Sequence, residues 1–268
     1  MGLFYSNDVS GKGVSKNLRK KKPFFLYWER FGENFGRFFK INLVYFLFCI
    51  PIVTFGPATA AMTALMRNIY LDRPMFVFHD FWEQFKKNFK QSFFIGILDI
   101  GVIVGAVFAF RYFSKVETDM TGKIIYALSI AATVLFVMMN FYIYPQIAAM
   151  NMKLGSIIRN SLILVFVNLG GELITLALLL GYAALLIFFN IYVLAFIPFV
   201  PGAWICYTMV FTCYPAIQKH LINPYYEKSG EKNPEIPDYE EEAVFEDQGG
   251  KEQPINLKKN KNGGRVIK

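Results

Sequence analysis

The stretch PIVTFGPATAAMTALMR, residues 51–67, interrupts an apolar run with a Gly-Pro pair and continues in alanine, threonine and methionine. Glycine before proline permits a tight reversal, and proline at the first position of a helix loses no hydrogen bond. The stretch therefore predicts a helical hairpin that turns at Gly56 and Pro57. Its arms are residues 41–55 and 57–71.

Charged residues make up only 18% of the 268-residue chain, against about 25% in soluble domains. They nearly vanish over residues 93–110, 124–152 and 161–217. Each region contains an apolar run near the roughly 20 residues that cross a bilayer as a helix. Because lipid cannot satisfy free backbone groups, such spans must be helical. The sequence predicts an all-α, polytopic membrane bundle with long helices at residues 93–113, 124–148, 161–189 and 191–217.

The positions of lysine and arginine predict the orientation, because positive residues in short flanking segments stay cytoplasmic. Nine of them precede Ile41 and five lie from Arg67 to Lys90, which places both regions on the same side. We therefore expect six membrane segments, with both termini in the cytoplasm. Each hairpin arm is only about 22 Å long, so the hairpin either spans the bilayer or re-enters from the cytoplasmic side.

The same pattern predicts three regions along the chain. Residues 1–40 form a basic cytoplasmic arm with an interfacial helix, and residues 41–221 form the membrane domain. Residues 222–268 are rich in Pro, Glu, Gly, Asn and Lys and poor in aliphatic side chains. Such a composition cannot bury enough apolar surface to order itself, so we expect a disordered cytoplasmic tail.

Small side chains give the second hairpin arm a smooth face, formed by Ala58, Ala60, Ala61 and Ala64. Small residues let membrane helices approach closely, and van der Waals packing then holds them together. The face serves either packing inside the chain or contact with a partner or ligand.

Two stretches, residues 23–39 and 75–93, place aromatic side chains at helical spacing opposite charged ones. Such helices lie in the membrane interface, with the apolar face in the headgroup boundary and the cations toward anionic lipid. We therefore expect membrane lipid to be one partner. The alternative use of these stretches is a cytoplasmic face that docks another protein.

Asp99 and Glu172 are the acidic residues inside the long predicted spans. An ionised, unpaired carboxylate at the centre of a membrane helix is costly, so a functional role is the first hypothesis. Asn140 and Asn168 are expected to share hydrogen bonds with the two acids. The open alternatives are a proton or cation relay, a polar substrate site, and an uncharged acid that hydrogen-bonds between helices.

Several function classes lack their signatures in this sequence. There is no H-E-x-x-H, G-x-S-x-G or G-x-x-x-x-G-K-[ST] motif, and the chain has only two histidines. We therefore expect no enzymatic activity, no cofactor and no metal. The formal charge of +8 suits a cytoplasmic membrane surface better than nucleic acid, because no basic folded domain is present.

Three blocks resemble the YesL-like family of bacterial integral membrane proteins, whose biochemistry is largely unknown. They are PIVTFGPATAAMTALMR, FWEQFKKNFKQSF and YPQIAAMNMKLGSIIRNSLIL, and the resemblance covers residues 41–217. Family members are often neighbours of carbohydrate ABC importers and glycoside hydrolases. The resemblance therefore implies a location in a bacterial cytoplasmic membrane and an accessory role in carbohydrate uptake.

The same blocks provide candidate positions for contact with a partner or ligand. These are Thr54, Gly56, Pro57, Ala58, Ala61, Arg67, Phe85, Lys86, Phe89, Lys90, Pro145 and Asn160. Two functions are expected on these grounds. The protein is a subunit or assembly factor of a carbohydrate ABC importer, with permease subunits as partners, or it is a small transporter that uses Asp99 and Glu172.

Overall fold

A computed structural model describes residues 22–113, 119–189 and 201–235, and these residues form helices joined by short connections. The predicted basic arm up to residue 21, the first ten residues of the last long helix and the tail from residue 236 lie outside the described residues. The helices in chain order are α1 Pro23–Glu33, α2 Phe35–Cys49, a 3₁₀ turn Ile52–Thr54, α3 Phe55–Tyr70, α4 Val77–Phe113, α5 Met120–Ala149, α6 Leu154–Val167, α7 Leu169–Phe189, α8 Pro201–Ile217, a π-helical turn Gln218–Ile222 and α9 Asn223–Ser229.

Two helices, α4 and α5, are long and apolar enough to cross a membrane, as predicted. Helix α6 and the first part of α7 pass the same test as a pair, but they are bent by 94° where they meet. These helices support a helical membrane protein with two spans, or three if the bent pair forms one span.

The prediction of one continuous helix over residues 161–189 is wrong, because α6 ends at Val167 and Asn168 interrupts the helix. The backbone of Asn168 leaves the helical region, at φ −120° and ψ 43°, and its N–H still donates to the carbonyl of Leu164 at 3.0 Å. Asparagine is one of the residues that favour the ends of helices, and Gly170 and Gly171 follow after Leu169. The apolar run continues through the break, which therefore lies inside an apolar segment.

The predicted hairpin is formed by α2 and α3, but its tip lies earlier than predicted. Ile50 and Pro51 leave α2, and the 3₁₀ turn leads directly into α3. The hydroxyl of Thr54 holds this turn, with the carbonyl oxygens of Phe48 and Pro51 at 2.5 Å and 2.6 Å. Gly56 and Pro57 lie in the first turn of α3. The prediction of a Gly-Pro tip is therefore wrong, because Pro51 and the 3₁₀ turn reverse the chain.

Gly56 instead marks the point where α3 crosses α4. A Cβ atom on Gly56 would lie 2.0 Å from the carbonyl oxygen of Ser92 and 2.8 Å from the Cα of Gly96. Conversely, a Cβ atom on Gly96 would lie 2.7 Å from the Cα of Gly56. The two backbones touch at this crossing, and only glycine on both helices leaves room for it.

Helix α3 lies at the centre of the bundle and packs against α2, α4, α5 and α8. The predicted small face, Ala58, Ala60, Ala61 and Ala64, is buried within the chain. Of the two alternatives for this face, the structure supports packing inside the chain.

The second amphipathic stretch is the amino-terminal part of α4, which runs without a break into the apolar span. At 37 residues, α4 is about 55 Å long. Phe81 and Phe85 are buried and pack on Phe48 of α2, with ring centroids 5.1 Å and 5.0 Å apart. The prediction that this aromatic face lies among lipid headgroups is wrong for these two residues, because α2 covers them.

Helix α1, the first amphipathic stretch, is fastened to α8. The Tyr27 hydroxyl accepts a hydrogen bond from Trp204 Nε1 at 2.6 Å and lies 2.7 Å from the Thr208 hydroxyl. The Tyr207 hydroxyl donates to the backbone carbonyl of Tyr27 at 3.1 Å. The aromatic face of α1 therefore also contacts protein, and its exposed rings include Phe24, Phe25 and Trp28.

The carboxyl-terminal part of the chain stays helical beyond the predicted end of the membrane domain. Residues 223–229 of the predicted tail form α9, and Tyr226 packs against the hydrophobic core. The chain divides into two units, residues 1–231 and 232–268. In the second unit, the side-chain oxygen of Asn233 accepts a hydrogen bond from the backbone N–H of Glu235 at 2.9 Å.

Candidate functional site

Asp99 lies in the apolar part of α4 and faces α5, with 6% of its surface exposed. The side-chain amide of Asn140 donates to one carboxylate oxygen at 2.8 Å, and the Tyr144 hydroxyl donates to the other. Asn140 and Tyr144 are four residues apart, so they lie on the same face of α5. The predicted pairing of Asn140 with an intramembrane acid is confirmed, and both oxygens of Asp99 are satisfied.

Glu172 lies in the first turn of α7, directly after the break at Asn168. Its side chain is 0% exposed, and neither carboxylate oxygen has a hydrogen-bond partner in the described part of the chain. The hydroxyl of Tyr142 on α5 is close enough to act on the Glu172 carboxylate, but it lies outside hydrogen-bonding geometry. The thiol of Cys213 on α8 is a second electrostatic neighbour. The two intramembrane acids therefore differ, since Asp99 is fully hydrogen-bonded and Glu172 is not.

Several hydroxyl groups lie on the parts of α5, α7 and α8 near Glu172. The Asn168 side-chain amide donates to the Tyr142 hydroxyl at 3.0 Å, so Asn168 pairs with Tyr142 and not with an acid as predicted. The hydroxyls of Thr175 and Thr212 lie 2.6 Å apart. Thr175 is three residues after Glu172 and lies on the same side of α7. We call Tyr142, Glu172, Thr175, Thr212 and Cys213 the α5–α7–α8 polar cluster.

Helix α5 separates the two acids. Asp99 contacts Asn140 and Tyr144, whereas the neighbour of Glu172 is Tyr142, which lies between them in sequence. Two residues correspond to about 200° of rotation around an α-helix, so Tyr142 projects from the opposite side. Asp99 and Glu172 therefore belong to separate clusters and do not form a carboxylate pair.

The amino-terminal part of α4 carries a row of exposed side chains beside its buried face. Phe78 and Trp82 are 62% and 42% exposed, and Lys86 and Lys90 are exposed as well. The four residues are spaced by four, so they follow one another along one side of the helix. The Lys86 ammonium lies 5.1 Å from the centre of the Trp82 ring, within the range of a cation–π contact. We call these four residues the exposed stripe.

Most of the remaining candidate contact residues do not reach the surface. Gly56, Pro57, Ala58, Ala61, Phe85 and Pro145 are buried, so their assignment as contact positions is wrong for this conformation. Thr54, Arg67, Phe89 and Asn160 are half-buried. Arg67 Nε donates to the Tyr214 hydroxyl at 2.5 Å, which ties the end of α3 to α8. Lys86 and Lys90 remain as exposed candidates.

An aromatic groove lies between α1, α7 and α8, and no sequence pattern marked it. Its volume is about 440 Å³, and its lining includes Tyr27, Trp28, Trp204 and Phe211. A second cavity of about 370 Å³ shares Leu178, Trp204 and Thr208 with it. The groove brings together residues distant in sequence, which a single chain's pattern does not reveal.

His79, Asp80 and Glu83 are the described residues whose potential metal-ligand atoms lie together, within 4.8 Å of one another. His79 and Glu83 are exposed, and Asp80 already accepts a hydrogen bond from the backbone N–H of Phe76 at 3.0 Å. Asp80 therefore caps the start of α4, and the group is explained by helix structure.

Parts of this chain are similar to known proteins. Residues 38–112, from α2 through α4, match the family described as "Protein of unknown function, DUF624". The "Uncharacterized protein YteU" of Bacillus subtilis (strain 168) is 31% identical over 196 residues, which are 71% of this chain and 85% of that protein. No solved structure matches the chain. The chain therefore belongs to the DUF624 family, which includes the YesL-like proteins that its sequence resembles.

Proposed function

We propose that this protein is an accessory membrane subunit or assembly factor of a carbohydrate ABC importer and that it contacts the permease subunits. The exposed stripe on α4 is the observation that carries this proposal. The family resemblance supplies the class of partner. The stripe supplies a surface on which such a partner can bind.

The stripe has the composition of a protein-binding surface. Aromatic residues are enriched in interfaces, where they provide large contact areas at low conformational cost. Trp82 and Phe78 offer that area, and Lys86 and Lys90 add positive charge beside it. Helix α2 lies beside the stripe, where Trp82 packs on Phe48 of α2 with ring centroids 5.6 Å apart. The exposed parts of Phe78, Lys86 and Lys90 are accessible beside this contact.

We further propose the six-segment topology, with both termini in the cytoplasm of a bacterium. The hairpin of α2 and α3, the long helices α4 and α5, the bent pair α6–α7 and α8 are its six segments. In this topology the exposed stripe lies at the cytoplasmic surface of the membrane, where the coupling ATPase of an importer also resides. The stripe then lies within reach of both importer components.

The experiment is co-purification of the importer from native membranes with matched variants of α4. Phe78→Ala and Lys86→Glu alter the exposed stripe, while Lys87→Glu makes the same charge change on an exposed neighbour outside it. We expect wild type and Lys87→Glu to recover permease and ATPase, and the two stripe variants to lose most of both. Equal recovery with all four proteins, or no importer subunit with wild type, would contradict the proposal.

The alternative function is a small transporter that uses the intramembrane acids, and the unpartnered carboxylate of Glu172 favours it. Asp99 gives it less support, because both of its oxygens accept hydrogen bonds. Purified protein in vesicles that contain a pH-sensitive dye tests the alternative. Proton flux with wild type and Asp99→Asn, but not with Glu172→Gln, would favour a transporter over an accessory subunit.

A further inference from the structure

Glu172 is a fully buried carboxylate whose two oxygens both lack a hydrogen-bond partner in the described part of the chain. Buried polar groups in native proteins nearly always have partners, and an unpartnered one calls for a bound water, ion or ligand. The ion pairs Arg30–Asp72 and His79–Glu83 do not involve Glu172. A positive charge from outside the described chain would therefore satisfy this group.

The surroundings of Glu172 indicate which kind of cation fits. Its neighbours in the polar cluster are the hydroxyl of Tyr142 and the thiol of Cys213. The Cys213 sulfur in turn lies 3.9 Å and 3.6 Å from the hydroxyls of Thr175 and Thr212. Oxygen ligands suit hard cations, whereas imidazole and thiolate ligands suit zinc, copper and iron. A single carboxylate balances one positive charge. A divalent ion would leave a buried net charge, so a monovalent cation is the better match.

The position of the cluster in the fold supports the same conclusion. Glu172 follows a 94° break in an otherwise apolar segment. The end of a helix leaves carbonyl oxygens without intrahelical partners. In membrane proteins, discontinuous helices of this kind bring such carbonyls to bound sodium ions and protons. The break at Asn168 thus places the carboxyl end of α6 just before the first turn of α7, which carries the Glu172 carboxylate.

We propose that Glu172, with the hydroxyls of Tyr142, Thr175 and Thr212, forms a binding site for a small monovalent cation, with sodium as its probe. The proton is the competitor, since it neutralises the same carboxylate. The titratable groups that face Glu172 are Tyr142 from α5 and Cys213 from α8. The site concerns binding alone, so it holds for an accessory subunit as well as for a transporter.

Thermal unfolding of the purified full-length protein in lipid nanodiscs tests the site. At pH 8 and constant ionic strength, sodium chloride should raise the melting temperature relative to N-methylglucamine chloride. A rise of about 3–6 °C is expected when sodium is about ten times its dissociation constant. The rise should shrink as the pH is lowered, because protons compete with sodium for Glu172.

Variants distinguish this site from general salt effects. Glu172→Gln keeps the size of the side chain and should abolish the sodium-dependent rise. Asp99→Asn should retain it, because Asp99 lies on the other side of α5. Equal melting temperatures in the two salts, or a rise of wild-type size in Glu172→Gln, would overturn the proposal.

A second measurement covers the case in which Glu172→Gln fails to fold. Equilibrium binding of radioactive sodium to the wild type should saturate near one ion per chain. Tyr142→Phe, which removes one hydroxyl from the polar cluster, should weaken that binding about 10-fold. Unchanged sodium affinity in Tyr142→Phe, or no saturable binding to the wild type, would likewise overturn the proposal.

Discussion

Replacing Gly56 with alanine should force α3 away from α4 and destabilise the whole bundle. The new Cβ atom would lie 2.0 Å from the carbonyl oxygen of Ser92 and 2.8 Å from the Cα of Gly96. Close carbon–oxygen contacts in proteins are about 3.3–3.6 Å. The helices must therefore separate by about 1.3 Å at the crossing, and neither contact can be relieved by rotating a side chain.

The size of the effect follows from two opposing contributions. Overpacking lowers the free energy of unfolding by about 1–3 kcal/mol. Because two backbone segments are in contact here, we expect the upper end, about 3 kcal/mol. Alanine is better than glycine in a helix by about 1 kcal/mol. The net loss is about 2 kcal/mol, or roughly 4–8 °C in melting temperature for a chain of this size.

Two other glycines of α4 provide the matched controls. A Cβ on Gly101 or Gly105 would meet no atom within 4 Å, so alanine there changes helix propensity without a clash. We expect Gly101→Ala and Gly105→Ala to melt at or slightly above the wild type, and Gly96→Ala to behave like Gly56→Ala. Tryptophan fluorescence of the purified proteins during heating measures this. Gly56→Ala melting together with Gly101→Ala would refute the backbone crossing.

Two further predictions concern the Asp99 contacts and the topology. Tyr144→Phe removes a donor from a buried carboxylate and should cost about 1–3 kcal/mol in a thermal unfolding assay. Adding Asp99→Asn to it should cost less than the sum of the two single changes, because the residues share one interaction; additive losses would contradict the contact. With single cysteines at Ser10, Glu117 and Gln248, an impermeant reagent should label only position 117 in intact cells. Labelling at position 248 would instead favour five segments.

The sequence was most informative where a local rule decides the structure. The scarcity of charge predicted α4 and α5, and the aromatic spacing of residues 75–93 correctly indicated a helix. The tip of the hairpin was misplaced because Pro51 and Gly56-Pro57 are both credible turn signals, and choosing between them depends on what packs against each. Gly56 turned out to need space beside Gly96, a residue 40 positions away that no local rule connects to it.

Among the polar contacts, too, the sequence indicated the residues with local signals and missed those that depend on packing. Two acids in apolar segments were visible in the sequence, and Asn140 was a reasonable partner for one of them. Tyr144 was not identified as the second partner of Asp99, because a tyrosine in an aromatic-rich helix is not distinctive. The break at Asn168 left a signal in the sequence, Asn168 followed by Gly170-Gly171, which a count of apolar residues ignores.

Helix α5 carries Asn140 and Tyr144 on one side and Tyr142 on the other. The side chains of this one helix therefore face both intramembrane acids. Rotation of α5 about its long axis would move the Asn140 amide and the Tyr144 hydroxyl away from Asp99. The same rotation would move the Tyr142 hydroxyl away from Glu172. The contacts of Asp99 and Glu172 are therefore coupled through α5, although the two acids do not contact each other. In a genetic selection, defects caused by changes at Asp99 should be suppressed by second changes on α7 or α8, far from the original lesion.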